Sequence, residues 1–281
     1  MEIEVSKDGT VKLNFLGGYS AVIIPLGGKK TLCLSSQVGC AMACSFCVSG
    51  KRKFERNLSL EELKGQLNAA LQHLGISNKE EGKSDWMLAD EISSIVFMGM
   101  SEPLLNLENV LAFCDFVNSK YGYAYSRILV STCGVIPKMR EVIERYPNKI
   151  QLAVSLHSPF QDVRDLIMPG LKGFSLKDLV EVCHEYNEVY RQKIMIEYVM
   201  IDGVTDRDCD LAEILKMGFV KRTNFNLIRL NGDFVLGGVR MIGSSVEKMD
   251  YFREKLMEAG YKCFVRSRMG EDIEAACGML R

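Results

Sequence analysis

Cys40-Ala41-Met42-Ala43-Cys44-Ser45-Phe46-Cys47 places three thiols at C-x3-C-x2-C spacing on one short loop, just after an apolar run at 31–34. Three thiols this close form a metal-ligand pattern. Structural zinc takes four ligands, usually as two C-x-x-C pairs, and no second pair is present. A four-iron cluster held by four cysteines is saturated. Held by three, it keeps one iron open, which can take up a substrate's amino and carboxylate groups and deliver one electron. Cys40, Cys44 and Cys47 are thus candidate cluster ligands, with a zinc site or chance spacing as the alternatives.

Outward from this loop, apolar runs at 31–34, 93–98, 127–131, 151–156, 194–201 and 224–228 read as strands. Several are rich in β-branched residues, as strands buried in a parallel sheet are. Amphipathic stretches at 59–74, 106–119, 135–144, 175–190 and 208–217 read as helices between them. Ser59 and Glu62 fit a capping box that opens the first. Strand–helix alternation implies a parallel α/β sheet. Six units are too few for a closed eight-stranded barrel, so the expected fold is a partial (β/α)6 barrel of the TIM type. Short strands at 11–15 and 20–24 precede it, and a helix at 244–260 and a strand at 261–266 follow. The polar segment 77–90 reads as a surface loop. The expected parts are an N-terminal β extension (1–32), the barrel (33–232) and a C-terminal extension (233–281).

In parallel barrels the chemistry gathers where strands end. The cysteine loop follows the first strand, Gly99-Met100-Ser101-Glu102-Pro103 the second and Ser131-Thr132-Cys133-Gly134 the third; Ser155-Leu156-His157 ends the fourth and Asn231 follows the sixth. All would line one mouth.

Composition narrows the class. The chain has 281 residues, 47% hydrophobic and 25% charged, with formal net charge −1. This is globular composition and argues against a strongly basic nucleic-acid module. No apolar run approaches the roughly 18 to 20 residues that span a bilayer, and the N-terminus shows no apolar leader. The cytoplasm is the expected compartment, where thiols stay reduced. There, ten cysteines read as ligands, nucleophiles or packing residues, and Cys114, Cys183, Cys209 and Cys263 as packing.

Several runs together resemble the RlmN/Cfr family within the radical S-adenosylmethionine superfamily. They are Cys33-Leu34-Ser35-Ser36-Gln37-Val38-Gly39-Cys40, the stretch from Phe97 to Asn106, Ser155-Leu156-His157, Ile196-Glu197-Tyr198-Val199-Met200 and Asp272-Ile273-Glu274-Ala275-Ala276-Cys277-Gly278. They occur in the family's order from about Val11 to the last residue. The resemblance implies a radical S-adenosylmethionine barrel carrying a [4Fe-4S] cluster, and methylation of carbon 2 (or carbon 8) of an adenine in ribosomal or transfer RNA. Two S-adenosylmethionine molecules are used per turnover. The first methylates a cysteine, here Cys277. The second is cleaved at the cluster to a radical that takes hydrogen from that S-methyl group, and the resulting carbon radical adds to the base. A second cysteine, here Cys33, helps remove the ring proton and resolves the adduct through a disulfide. This division suits the chemistry, because adenine C–H carbons are electron-poor and a covalent carrier splits one hard step into two.

By position, the resemblance makes Ser101, Glu102, Ser131, Ser155, His157 and Asn231 the S-adenosylmethionine contacts. Structural readings compete: Ser131 and Ser155 as strand ends, His157 as a core residue. The resemblance also implies a flavodoxin- or ferredoxin-type electron donor, no membrane association and a monomer. Four features depart from it. The chain begins at the strands, without the family's helical RNA-binding domain. Ser20 stands where the family has glutamate, and Ser101 where it has glycine. The stretch after Asn231 lacks the usual prolines. Two alternatives follow: the same chemistry on a peptide or small molecule, or a cluster-binding paralogue without turnover. Lys51, Arg52, Lys53 and Arg56 beside the cluster loop would suit phosphates, and Phe54 could stack on a base. A solvated surface is the competing reading.

Overall fold

The computed structural model describes residues 1–76, 88–190, 193–232 and 234–281. Its centre is a ten-stranded sheet. Glu2–Val5, Val11–Phe15, Tyr19–Leu26 and Lys29–Cys33 form an antiparallel meander. From Lys29–Cys33 the sheet continues in parallel through Ser94–Phe97, Ile128–Thr132, Gln151–Ser155, Met195–Met200, Asn224–Arg229 and Lys262–Val265. Helices cross between successive parallel strands: Leu60–His73, Leu107–Tyr121, Ile136–Arg145, Leu176–Val189, Asp208–Lys216 and Val246–Glu258. This is the expected α/β architecture, with six strand–helix units and a seventh parallel strand.

The two sheet faces do different work. Leu32, Ile95, Ile128, Val130, Leu152, Val154, Ile196, Tyr198, Phe225 and Leu227 belong to one buried core with apolar faces of the helices, such as Leu63, Leu67, Val110, Phe113, Met139, Val182 and Phe252. Side chains alternate across a strand, so their neighbours Cys33, Val96, Ser131, Ser155, Glu197 and Asn226 face the other way. That face is concave, partly polar, and carries the site.

Helix boundaries follow local chemistry. Ser59 Oγ accepts from the Glu62 amide, and the Glu62 carboxylate accepts from the Ser59 amide, closing the capping box. Ser59→Ala is expected to lower stability by about 1 kcal/mol, read as a lower urea midpoint at unchanged slope; an unchanged midpoint would show that the box contributes nothing. Gly122, with φ of 62°, ends the helix Leu107–Tyr121 in the left-handed conformation that glycine adopts without strain.

The structure adds elements that the pattern did not announce: the edge strand Glu2–Val5, the helix Gln161–Ile167, and a hairpin of Phe234–Leu236 with Val239–Met241. Of the segment 77–90, residues 77–87 lie outside the described residues, and Leu88–Glu91 is a short helix rather than loop. Cys114, Cys183 and Cys263 are buried as packing residues, but Cys209 is exposed near the start of the helix Asp208–Lys216. Asp208 and Cys209 face solvent while Asp210 and Leu211 turn inward, so Cys209 is not a core residue. Among the described residues no helix is long and apolar enough to cross a membrane.

Candidate active site

The strand ends bring the candidate cluster ligands, cofactor contacts and catalytic cysteines to one cavity. Its lining includes Cys40, Cys44, Cys47, Ser101, Glu102, Ser131, Ser155, His157, Asn231, Cys33 and Cys277. These positions are spread over most of the chain, and the parallel sheet converges them as parallel barrels do.

The cysteine loop packs with Met42, Ile167, Met168 and Leu171 in a small apolar cluster. All its cysteines are free thiols. Burial pushes the Cys40 thiol well up and the Cys47 thiol up to about 11. Protonated thiols in an apolar pocket become thiolates when a metal takes the proton's place. No group of three or more His, Cys, Asp or Glu side chains among the described residues converges tightly enough for a single ion. A four-iron cluster offers a separate iron to each thiolate, so this three-cysteine donor set fits a cluster better than one zinc ion.

Ser101 and Glu102 sit beside the thiols. Ser101 Oγ is buried without a hydrogen-bond partner, although buried hydroxyls are normally satisfied; an unpaired group on a cavity wall fits a ligand's polar atom. Glu102 is fully buried and accepts from the amides of Leu104 at 3.1 Å and Cys133 at 2.6 Å. Burial raises its carboxyl above the usual range, against those backbone donors. The carboxylate thus ties the second strand end to the third.

His157 holds a left-handed conformation, with φ of 57°. Its Nδ1 accepts from the Val199 amide at 3.0 Å, which leaves the neutral ring's proton on Nε2. Phe46 packs edge-on, ring centres 5.0 Å apart. Burial, with Arg164 nearby, lowers its pKa to about 3. Between about pH 6.5 and 3 an unfolded chain therefore binds a proton here that the folded chain refuses, and stability falls as pH falls. His157→Gln is expected to flatten the loss over that window, by up to about 1.4 kcal/mol per pH unit, in urea unfolding across pH; an unchanged slope would contradict a buried neutral ring.

Residues to which the sequence assigned no role complete the wall. Glu197 is a hub: Ser131 Oγ donates to it at 3.0 Å, Asn226 at 3.3 Å, and Arg266 pairs with it at 3.6 Å. Arg266 Nη1 also lies 3.8 Å from Cys277 Sγ. A carboxylate inside the apolar run 194–201 was the signal for Glu197; Arg266 had none, because only the fold turns it inward.

Cys277 is held on a clamped C-terminal loop. Asn231 Nδ2 donates to its carbonyl at 3.1 Å. The Val48 amide donates to Gly278 O at 2.7 Å, and Ser49 Oγ to Leu280 O at 2.6 Å, fixing the loop to the cysteine loop. Asp8 accepts from the Gly270 amide at 2.7 Å and Lys12 Nζ donates to Ile273 O at 3.1 Å, fixing it to the meander. Cys33 packs with Ala275 and Leu280 of the same loop. Burial raises both thiols, Cys33 to about 12, against the pull of Arg266. Ser20 does not line this cavity: it is buried, and its Oγ donates to Asn14 at 2.7 Å. Of the basic residues beside the cluster loop, Arg52 pairs with Glu55 and Arg56 with Glu62, whereas Lys51, Lys53 and Phe54 are exposed.

The chain is 37% identical over 284 aligned residues to a dual-specificity RNA methyltransferase RlmN of Desulfotalea psychrophila, covering 99% of this chain and 76% of that one. It belongs to the RlmN family. A solved radical SAM methyltransferase from Sphaerobacter thermophilus has 31% identity and a TM-score of 0.88, over 100% of this chain and 80% of that one. A spore photoproduct lyase variant shares only the fold, with a TM-score of 0.53 at 11% identity over 82% of this chain and 75% of that one. No family model matches the chain. The protein is a radical S-adenosylmethionine methyltransferase of this family, with a [4Fe-4S] cluster and S-adenosylmethionine as its cofactors.

Proposed function

We propose that this enzyme methylates an adenine in ribosomal or transfer RNA, at carbon 2, through an S-methyl group carried on Cys277. The relative from Desulfotalea is named for RNA methylation. The observation that carries the reading is that Cys277 and Cys33 line the same cavity as Cys40, Cys44 and Cys47. A methyl carrier and a resolving thiol must both reach the acceptor carbon, and here one loop brings them together.

In this reading Cys40, Cys44 and Cys47 hold the cluster. Ser101, Glu102, Ser131, Ser155, His157 and Asn231 seat S-adenosylmethionine, with the unpaired Ser101 hydroxyl available to its methionine end. The bound cofactors supply one-electron chemistry that makes a carbon radical from the carrier's methyl group. Cys277 Sγ accepts the methyl as a thiolate, and Arg266 beside it favours the anion. Cys33 Sγ, as a thiolate, later forms a disulfide with Cys277 Sγ as the carbon–sulfur bond breaks; that bond's electron pair stays on the methylene carbon, which takes a proton and leaves as the methyl group of the freed base. The adenine must reach this enclosed site as an extruded nucleotide, and exposed Lys51, Lys53 and Phe54 suit the RNA near the mouth. The clamped loop completes the cavity wall, so the division 1–32, 33–232 and 233–281 is proposed as three parts of one catalytic unit. A flavodoxin- or ferredoxin-type donor and a monomeric state belong to the same proposal.

A second reading, the same chemistry on a peptide or small molecule, keeps the site and changes only the acceptor. Nucleoside analysis of RNA from cells lacking the gene separates the two. Loss of a methyladenosine supports RNA as acceptor; unchanged RNA removes it.

A further inference from the structure

Arg164 is 2% exposed, and no carboxylate among the described residues is in an ion pair with it. Its donors meet only backbone carbonyls: Leu156 O at 3.2 Å from Nε, with Cys133 O at 2.6 Å and Ser155 O at 3.2 Å from Nη2. Those carbonyls close the ends of two parallel strands, and neutral donors could serve them. A buried, unpaired cation is costly unless an anion is near. Arg266, a half-buried arginine of the cavity wall, has Glu197.

The groups whose negative forms act on Arg164 are Cys133, then Cys44, Asp165 and Cys183, and Cys44 belongs to the cysteine loop. Arg164 lies on the helix Gln161–Ile167, which is bolted to that loop: Ile167 O accepts from the Ser45 amide at 2.9 Å, and the Gly170 amide donates to Met42 O at 3.0 Å. A Cβ on Gly170 would sit 2.5 Å from Met42 Cα, so the two segments touch. Cys133, whose carbonyl Arg164 holds, has its thiol against Cys44. The guanidinium is therefore tied through two bonded contacts to a candidate cluster ligand.

We propose that Arg164 is a positioning residue for charge: its buried, unpaired guanidinium raises the reduction potential of the cluster bound by Cys40, Cys44 and Cys47. The inference rests on the proposed assignment of those ligands. A four-iron core of charge +2 with three thiolates carries −1. One electron from an external low-potential donor takes it to −2, with the iron core reduced and the donor oxidised. A fixed cation stabilises the −2 state more than the −1 state, and net charge around the cluster is one of the protein's levers on potential. Water is largely excluded here, so screening is weak.

The test is an anaerobic redox titration of the reconstituted full-length protein, following the reduced cluster by electron paramagnetic resonance. Arg164→Gln keeps amide donors for the carbonyls and removes the charge. It is expected to lower the reduced-to-oxidised ratio at the wild-type midpoint at least tenfold, about 59 mV for one electron. Arg164→Lys keeps the charge and is expected to titrate near wild type. Cys183 is buried and feels the charge of Arg164, so Cys183→Asp should neutralise the guanidinium without removing it and shift the midpoint the same way. If Arg164→Gln does not fold, Cys183→Asp carries the decision. Cluster-loaded variants that titrate at the wild-type midpoint overturn the proposal. A Cys44→Ala protein that keeps a full cluster, or a wild type that takes up none, overturns the ligand assignment and the proposal with it.

Discussion

Cys277→Ala is expected to abolish methyl transfer to RNA, by more than about 10³-fold, while cluster content and reductive cleavage of S-adenosylmethionine persist. The separation follows from where Cys277 sits. Its carbonyl is held by Asn231, and the residues after it are bonded to Val48 and Ser49, immediately past the cysteine loop. None of those bonds uses the thiol, so alanine keeps the loop in place and removes only the sulfur. Iron content, absorption spectrum and 5′-deoxyadenosine formation check the first half, and labelled methyl in RNA the second. A variant that still methylates RNA would remove the carrier role altogether.

Cys33→Ala is expected to leave the first half-reaction intact and to stop the cycle with RNA covalently attached to the protein. Cys33 packs with Ala275 and Leu280 of the carrier loop, and its thiol feels the charge of Cys277. It is the thiol placed to displace the bond between carrier sulfur and base. Without it no thiolate attacks the carrier sulfur, so the carbon–sulfur bond that joins Cys277 to the base does not break. Burial pushes Cys33 up to about 12, with Arg266 opposing, so the free enzyme keeps it protonated at neutral pH. The account expects accumulation of a slow-migrating protein–RNA species on a denaturing gel, destroyed by nuclease, with less than about 1% of wild-type turnover. Free methylated RNA in normal yield would assign resolution to another group.

The parts legible in the sequence were those set by local periodicity and by chemistry that tolerates one residue type. The parallel strands read directly, because runs such as Ile128-Leu129-Val130 and Ile95-Val96-Phe97 are short and β-branched, which favours strand over buried helix. The capping box at Ser59 and Glu62 was likewise local. Glu2–Val5 was not legible: it is a short, largely exposed edge strand whose order comes from pairing with Val11–Phe15. The helix Gln161–Ile167 spans only seven residues, too few for a clear period, and its placement depends on contact with the cysteine loop. Three cysteines in one run marked a candidate metal-binding loop, whereas Arg164, Glu197 and Arg266 owe their importance to what the fold turns toward them. Asn231 read as a cofactor contact; in the structure its amide holds the loop of Cys277, accepting from Arg268 at 3.1 Å while donating to the Cys277 carbonyl.

The most direct test of the account is mass spectrometry of anaerobically reconstituted enzyme turned over with methyl-deuterated S-adenosylmethionine and bulk RNA, following both the Cys277 peptide and the digested nucleosides. The account predicts label on Cys277 and on adenosine, at carbon 2, with one of the methyl's deuteriums lost in transfer. Adenosine carrying an intact trideuteromethyl group, with Cys277 unlabelled, would mean direct transfer without a carrier and would contradict it.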